Sequence, residues 1–217
     1  MPEHSAEDGA AERGAIDKMK IGILYKLWSV FLIWFSKIKV LKFGMLPILA
    51  SDQDPYVVTG HDILQIMELI EPGDVLLRGY DKYLDGKFIP DEHGYSHGAI
   101  YVGKNEVVHA ASPFVHSISI IDFCQCDRVM VLRPMYGSED AVKKAMSLLG
   151  KPYDFNYEST DERLYCFELV ANLYQNANME QYDVSKFLGL VNRKCYLAKS
   201  IYENKFFKIV YERNELA

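Results

Sequence analysis

The sequence predicts an α+β fold in which an antiparallel sheet packs against a helix that carries Cys166. Three observations lead there. Apolar runs of strand length at 75–77, 97–102, 106–110, 115–121 and 129–133 follow one another closely. Between two of them, Gly103-Lys104-Asn105 is a hairpin turn, which makes those neighbours antiparallel. Stretches with apolar residues at helical spacing flank this block on both sides. At 217 residues, 49% hydrophobic and 25% charged, the chain suffices for one sizeable domain plus an appendage.

Residues 1–17 are small, acidic and rich in glycine and alanine, a composition expected of a disordered tail. Residues 18–50 differ sharply. Between 18 and 42 lie six lysines and no acid, so the net charge of −6 conceals a remainder at −12. The same segment crowds Tyr25, Trp28, Phe31, Trp34 and Phe35 among aliphatic residues. Its longest charge-free stretch, Leu27–Ser36, is short of the roughly 20 residues that span a bilayer. Three descriptions fit: a helix lying on an anionic membrane surface, a helix packed on the body of the protein, or a marginal span or cleaved signal. A signal peptide fits only if synthesis starts at Met19, because the lead before it is acidic. The acidic remainder argues against nucleic acid as a partner.

Ser51–Pro55 is a polar joint, and 51–217 reads as the catalytic domain. Residues 61–71 carry a helical apolar stripe, which Pro72-Gly73-Asp74 ends before the first strand. Residues 80–95 are polar, and 81–91 is expected to form a flap over a cleft. Ser138 is placed to cap a helix through Leu149, with Glu139 and Asp140 in its first turn. A helix over 162–177 carries Cys166, Leu169, Val170, Leu173 and Tyr174, and 206–211 reads as a last strand. The four cysteines lack the spacing of a disulfide framework, and Cys124-Gln-Cys126 has no second ligand pair for zinc.

Cys166 and His97 are the residues with chemistry. A thiol attacks a carbonyl as the thiolate, and a helix start and a neighbouring imidazole both lower its pKa. The unpaired amides of that first turn can also hold an oxyanion. His97, on a strand, would be the base. A third group must orient its ring, and His109 is placed for this. The two lie twelve residues apart around a hairpin, an even number, so both can face one side of the sheet. His93 and His116 read as surface residues in or near loops, and the 91–93 cluster is weak as a metal site.

Four stretches carry a resemblance. These are Pro72-Gly73-Asp74-Val75-Leu76-Leu77, Tyr95-Ser96-His97-Gly98-Ala99-Ile100-Tyr101-Val102-Gly103, Leu149-Gly150-Lys151-Pro152-Tyr153-Asp154-Phe155, and Asp161-Glu162-Arg163-Leu164-Tyr165-Cys166-Phe167-Glu168-Leu169-Val170. In that order, over about residues 60–180, they resemble the YiiX/YaeF group of permuted papain-like cysteine hydrolases in the NlpC superfamily. The resemblance implies an NlpC-type fold with a partly barrel-like sheet, Cys166 as nucleophile and His97 as base. It implies neither metal nor organic cofactor. Tyr165 and Tyr153 become candidates for oxyanion or substrate contacts.

Two positions depart from that pattern. A glutamate is usual where His109 stands, and a histidine there is more like the related lecithin:retinol acyltransferase group. A serine is common where Phe167 follows the cysteine. The expected activity is hydrolysis of an amide or ester in a peptide, lipoprotein or lipid through an acyl-enzyme. Lipid-directed acyl transfer is the alternative, and a catalytically silent binding module the non-enzymatic one. The substrate is expected at a membrane, in a bacterial cell envelope or on the cytoplasmic face.

Overall fold

The computed structural model describes residues 26–28, 30–31, 39–43, 46–50, 56–81, 93–157, 162–186 and 191–213. It divides into two compact units, Met1–Lys37 and Ile38–Ala217. In the first, residues 26–28 and 30–31 are helical, and the Trp28 and Phe31 rings stack with centroids 5.6 Å apart. Among the described residues no helix is long and apolar enough to cross a membrane.

The second unit opens with a hairpin of β1 (Lys39–Phe43) and β2 (Leu46–Ala50). This corrects the expectation of one helix running to residue 50. Pro47, inside that stretch, lacks the N–H a helix interior requires. Residues 1–17, the joint at 51–55 and the flap beyond Asp81 lie outside the described residues.

Five helices follow: α1 (Gly60–Leu69), α2 (Ile120–Phe123), α3 (Ser138–Ser147), α4 (Cys166–Leu173) and α5 (Lys199–Tyr202). The main sheet contains β3 (Val75–Gly79), β4 (His97–Gly103), β5 (Glu106–Ala111), β6 (Phe114–Ser119), β7 (Arg128–Pro134) and β10 (Phe207–Arg213). Its order is β10-β7-β3-β4-β5-β6, and every neighbouring pair is antiparallel. A second hairpin joins β8 (Tyr182–Lys186) and β9 (Val191–Cys195). The chain is thus α+β with a large antiparallel sheet.

Side chains alternate across each strand, and both faces of the sheet are buried. On one face Val75, Leu77, Ile100, Val108 and Ala110 meet Phe167, Leu169 and Val170 of α4 and Ala141 and Ala145 of α3. On the other, Leu76, Ala99, Tyr101, Val107 and Val131 meet Ile66 of α1 and Ile120 and Phe123 of α2. Helix α1 is fixed at its start by a capping box, in which Thr59 Oγ1 accepts from the Asp62 N–H and the Asp62 carboxylate accepts from the Thr59 N–H.

Pro72-Gly73-Asp74 is a structural junction. Gly73 has φ +99°, and a Cβ there would lie 2.4 Å from Ser138 Cβ, so only glycine fits. Its carbonyl accepts from the buried Tyr174 hydroxyl. The buried Asp74 carboxylate receives Arg133 Nε at 3.0 Å and Nη2 at 2.8 Å, a two-pronged pair. These ties set the register in which Arg78 of β3 lies opposite His97 of β4. Ser138 is not the cap of α3. Gly137, at φ +84°, precedes the helix, and Ser138 packs against Gly73 instead.

Candidate active site

Cys166 is the first helical residue of α4, so the helix begins four residues later than its apolar pattern implied. Tyr165 before it is extended, with φ −98° and ψ 172°, and no side chain caps the turn. The amides of this first turn therefore point at the site without an intrahelical partner. The Gly-Lys-Pro-Tyr-Asp-Phe block holds this start in place. Asp154 N–H donates to the Leu164 carbonyl at 3.1 Å, and Leu164 N–H donates to that of Pro152 at 3.1 Å. At its other end Gly150 N–H donates to the Val115 carbonyl and Val115 N–H to that of Lys151. One block thus ties β6 to the nucleophile's loop.

Helix α4 reaches the sheet at Gly98. A Cβ there would lie 3.2 Å from Phe167 Cδ1 and 3.4 Å from Leu77 Cδ2. Glycine lets Phe167 lie against the strand, which accounts for a large ring beside the thiol. The Cys166 thiol is buried, and the N–H groups of Gly98, Phe167 and Cys166 itself lie close enough to favour its thiolate. Gly98 immediately follows His97, so the thiol meets β4 one residue from it, while the His97 ring lies against Phe123 on the face that Ala99 shares. Among the described residues no hydrogen bond joins the thiol to the His97 ring.

His97 and His109 are brought together. Ala99 pairs with His109, which makes His97 its diagonal neighbour on the same face. His97 Nε2 and His109 Nδ1 are 2.8 Å apart, so the ring nitrogen of His97 not engaged by His109 is Nδ1. The row continues. His109 Nε2 lies 3.0 Å from His116 Nε2, and His116 Nδ1 donates to the Phe114 carbonyl at 2.8 Å. His116 sits on β6 directly opposite His109, not in a loop. Sequence reasoning passed over it, because the only signal was an assumed register across Ser112-Pro113.

Arg78 was also missed. Its guanidinium lies over the Phe123 ring, 4.6 Å from the centroid, and Nη1 donates to the Phe123 carbonyl at 3.2 Å. Its Nε is buried with no hydrogen-bond partner among the described residues. Burial, then the Arg78 charge, then His109 and His116 hold His97 well below the ordinary imidazole range. Burial, His116 and Arg78 lower His109 in the same way. Burial also pushes the Cys166 thiol up to about 11, against the three N–H groups and Arg78. Desolvation outweighs the helix start, contrary to a lowered thiol pKa. Both shifts favour the uncharged forms, a neutral thiol and a neutral imidazole.

The remaining candidates divide. The Tyr153 hydroxyl is hydrogen-bonded with Tyr157, and Cys166 lies near enough to perturb it. The Tyr165 hydroxyl is buried in the core and accepts from the Tyr196 N–H at 2.7 Å. Cys124 and Cys126 are fully buried, and burial raises both thiols. His93 is exposed, with its ring against Tyr202.

A cysteine at a helix start, preceded in sequence by an imidazole-bearing strand, defines a permuted papain-like arrangement. Residues 69–208, nearly two thirds of the chain, match the family of permuted papain-like amidase enzymes, YaeF/YiiX, C92. The chain belongs to this family. Protein OPG091 of vaccinia virus (strain Copenhagen) is 29% identical over 89 residues, covering 41% of this chain and 49% of that protein. Protein YiiX of Escherichia coli K12 is 54% identical over 33 residues, 15% of this chain and 16% of that one. The matched parts thus span half or less of these relatives. The crystal structure of the metalloprotein YiiX from Escherichia coli O157:H7 shares the fold, with a TM-score of 0.58 and 19% identity. It covers 68% of this chain and 99% of that one.

Proposed function

We propose that the protein cleaves an amide or ester bond through a thioester on Cys166, with His97 as base and His109 as its positioning residue. One observation carries the reading: the thiol sits at the Gly98 N–H, one residue from His97, whose Nε2 is engaged by His109. His97 Nδ1 takes the thiol proton as Sγ bonds to the substrate carbonyl carbon. The carbonyl oxygen becomes an oxyanion, for which the first-turn amides of α4 are available donors. His97 returns that proton to the amine or alcohol as the C–N or C–O bond breaks. Water then gives a proton to His97, attacks the thioester and releases the acid, and the thiol recovers its proton.

YiiX of Escherichia coli O157:H7 is a metalloprotein, and the metal question here is posed by the donors among the described residues. Both His109 nitrogens are engaged by neighbouring imidazoles, and among the described residues no three His, Cys, Asp or Glu converge as ligands. The six lysines and apolar residues of 18–42 support a substrate presented at an anionic membrane surface, such as a lipid amide, lipoprotein or ester lipid. Acyl transfer is the second reading. It is favoured by the imidazole at 109, and it differs only in an amine or lipid alcohol replacing water.

The test is turnover of a soluble p-nitrophenyl ester and a matched acyl amide, with and without an added amine. Cys166→Ala should lose at least roughly 10³-fold in kcat/KM. Free acid as the main product even with amine present supports hydrolysis, whereas transfer product supports the second reading. Unchanged turnover in Cys166→Ala contradicts both.

A further inference from the structure

The far end of the histidine row decides what the near end can do. A carbonyl oxygen only accepts, so His116 must carry a proton on the Nδ1 that lies 2.8 Å from the Phe114 oxygen. In a neutral ring His116 Nε2 is then an acceptor, and His109 must donate from Nε2 across 3.0 Å. The same step repeats. Neutral His109 accepts at Nδ1, and His97 donates from Nε2 across 2.8 Å. His97 is left with a bare Nδ1, the form a general base needs. Any other set of neutral tautomers puts two N–H groups or two lone pairs face to face.

We propose that His116 is a positioning residue: its Nδ1–H on the Phe114 carbonyl selects, through His109, the His97 tautomer able to deprotonate Cys166. This rests on the cysteine hydrolase reading and deepens it. The fold holds the carbonyl still for the purpose. Phe114 C=O and Val115 N–H belong to one planar peptide, and that N–H is tied to the Lys151 carbonyl at 2.7 Å. His109 and His116 are directly opposed on β5 and β6, with ring centroids 4.4 Å apart. The block that braces the start of α4 therefore also orients the outer end of the row.

The experiment is long-range ¹H–¹⁵N correlation on the full chain labelled in histidine, at about pH 8, above the ordinary imidazole range. Signals are assigned by loss in His97→Gln, His109→Gln and His116→Gln. The wild type should show His116 protonated at Nδ1, and His109 and His97 protonated at Nε2. In His116→Leu the His97 signature should shift towards mixed tautomers, with iodoacetamide labelling of Cys166 slowed roughly tenfold. His116→Gln, whose amide both donates and accepts, should restore part of each. His116 protonated at Nε2 in the wild type, or an unchanged His97 signature in a folded His116→Leu protein, overturns the inference. The spectrum needs no turnover. Wrong tautomers in an active enzyme sink this inference alone, and correct tautomers with full activity in Cys166→Ala sink only the cysteine hydrolase reading.

Discussion

Burial sets the resting chemistry of Cys166. Its helix-start amides and Arg78 favour the thiolate, yet desolvation holds the thiol near 11, so proton transfer to His97 must accompany attack. Alkylation of Cys166 by iodoacetamide should therefore keep accelerating with pH towards about 11. A plateau below roughly pH 8, as for a thiolate–imidazolium pair, would contradict this. Arg78→Met removes a cation that stabilises the thiolate. Alkylation at a fixed alkaline pH should slow by up to about tenfold, one pKa unit, with little change in circular dichroism.

At the scale of elements, the pieces that aim the site are those that also stabilise the sheet. Asp62 at the start of α1 is buried, which raises its pKa. Hydrogen bonds from the Thr59 side chain and backbone and from Tyr211, with the Arg213 charge, outweigh burial and bring it down to about 2. A depressed carboxyl stabilises the fold above its unfolded pKa and loses that contribution as pH falls through the folded value. The loss for Asp62 should thus run from about pH 4 down to 2, on the order of 2 kcal/mol. Asp62→Asn should lower the urea midpoint at neutral pH and flatten its dependence within that window. An unaltered acid limb would rule out this linkage.

The same scale explains what could be read in advance. Strands β3 to β7 were legible because each apolar run is bounded by turn residues, and the even spacing of His97 and His109 around a tight turn allowed the common face that the Ala99–His109 pairing then gives. His116 and Arg78 were not. Their relation to the site depends on register across β5–β6 and β3–β4, which a single sequence does not encode locally. That the Tyr165 hydroxyl accepts from the Tyr196 N–H in the core was not legible either, because the contact joins residues 31 apart in sequence. The start of α4 was misplaced because 162–165 share the apolar pattern of the helix without its hydrogen bonds.

For the whole molecule, the unit boundary at Lys37 leaves most of the basic apolar segment outside the unit that contains His97 and Cys166. If that segment meets an anionic surface, a chain starting at Ile38 should lose flotation with phosphatidylserine vesicles yet keep its turnover of a soluble ester. Salt should weaken flotation of the full chain only in part, since apolar burial persists when charges are screened. Equal flotation of both chains would remove the segment from that role.

The central claim is that one thiol carries the acyl group. Intact-mass spectrometry after rapid mixing with a p-nitrophenyl ester tests it most directly. A single acyl adduct should appear, map to Cys166, disappear with neutral hydroxylamine as a thioester does, and be absent from Cys166→Ala. An adduct of the same rate on the Cys166→Ala protein, or one that maps to Cys195 or to an oxygen nucleophile, would contradict it.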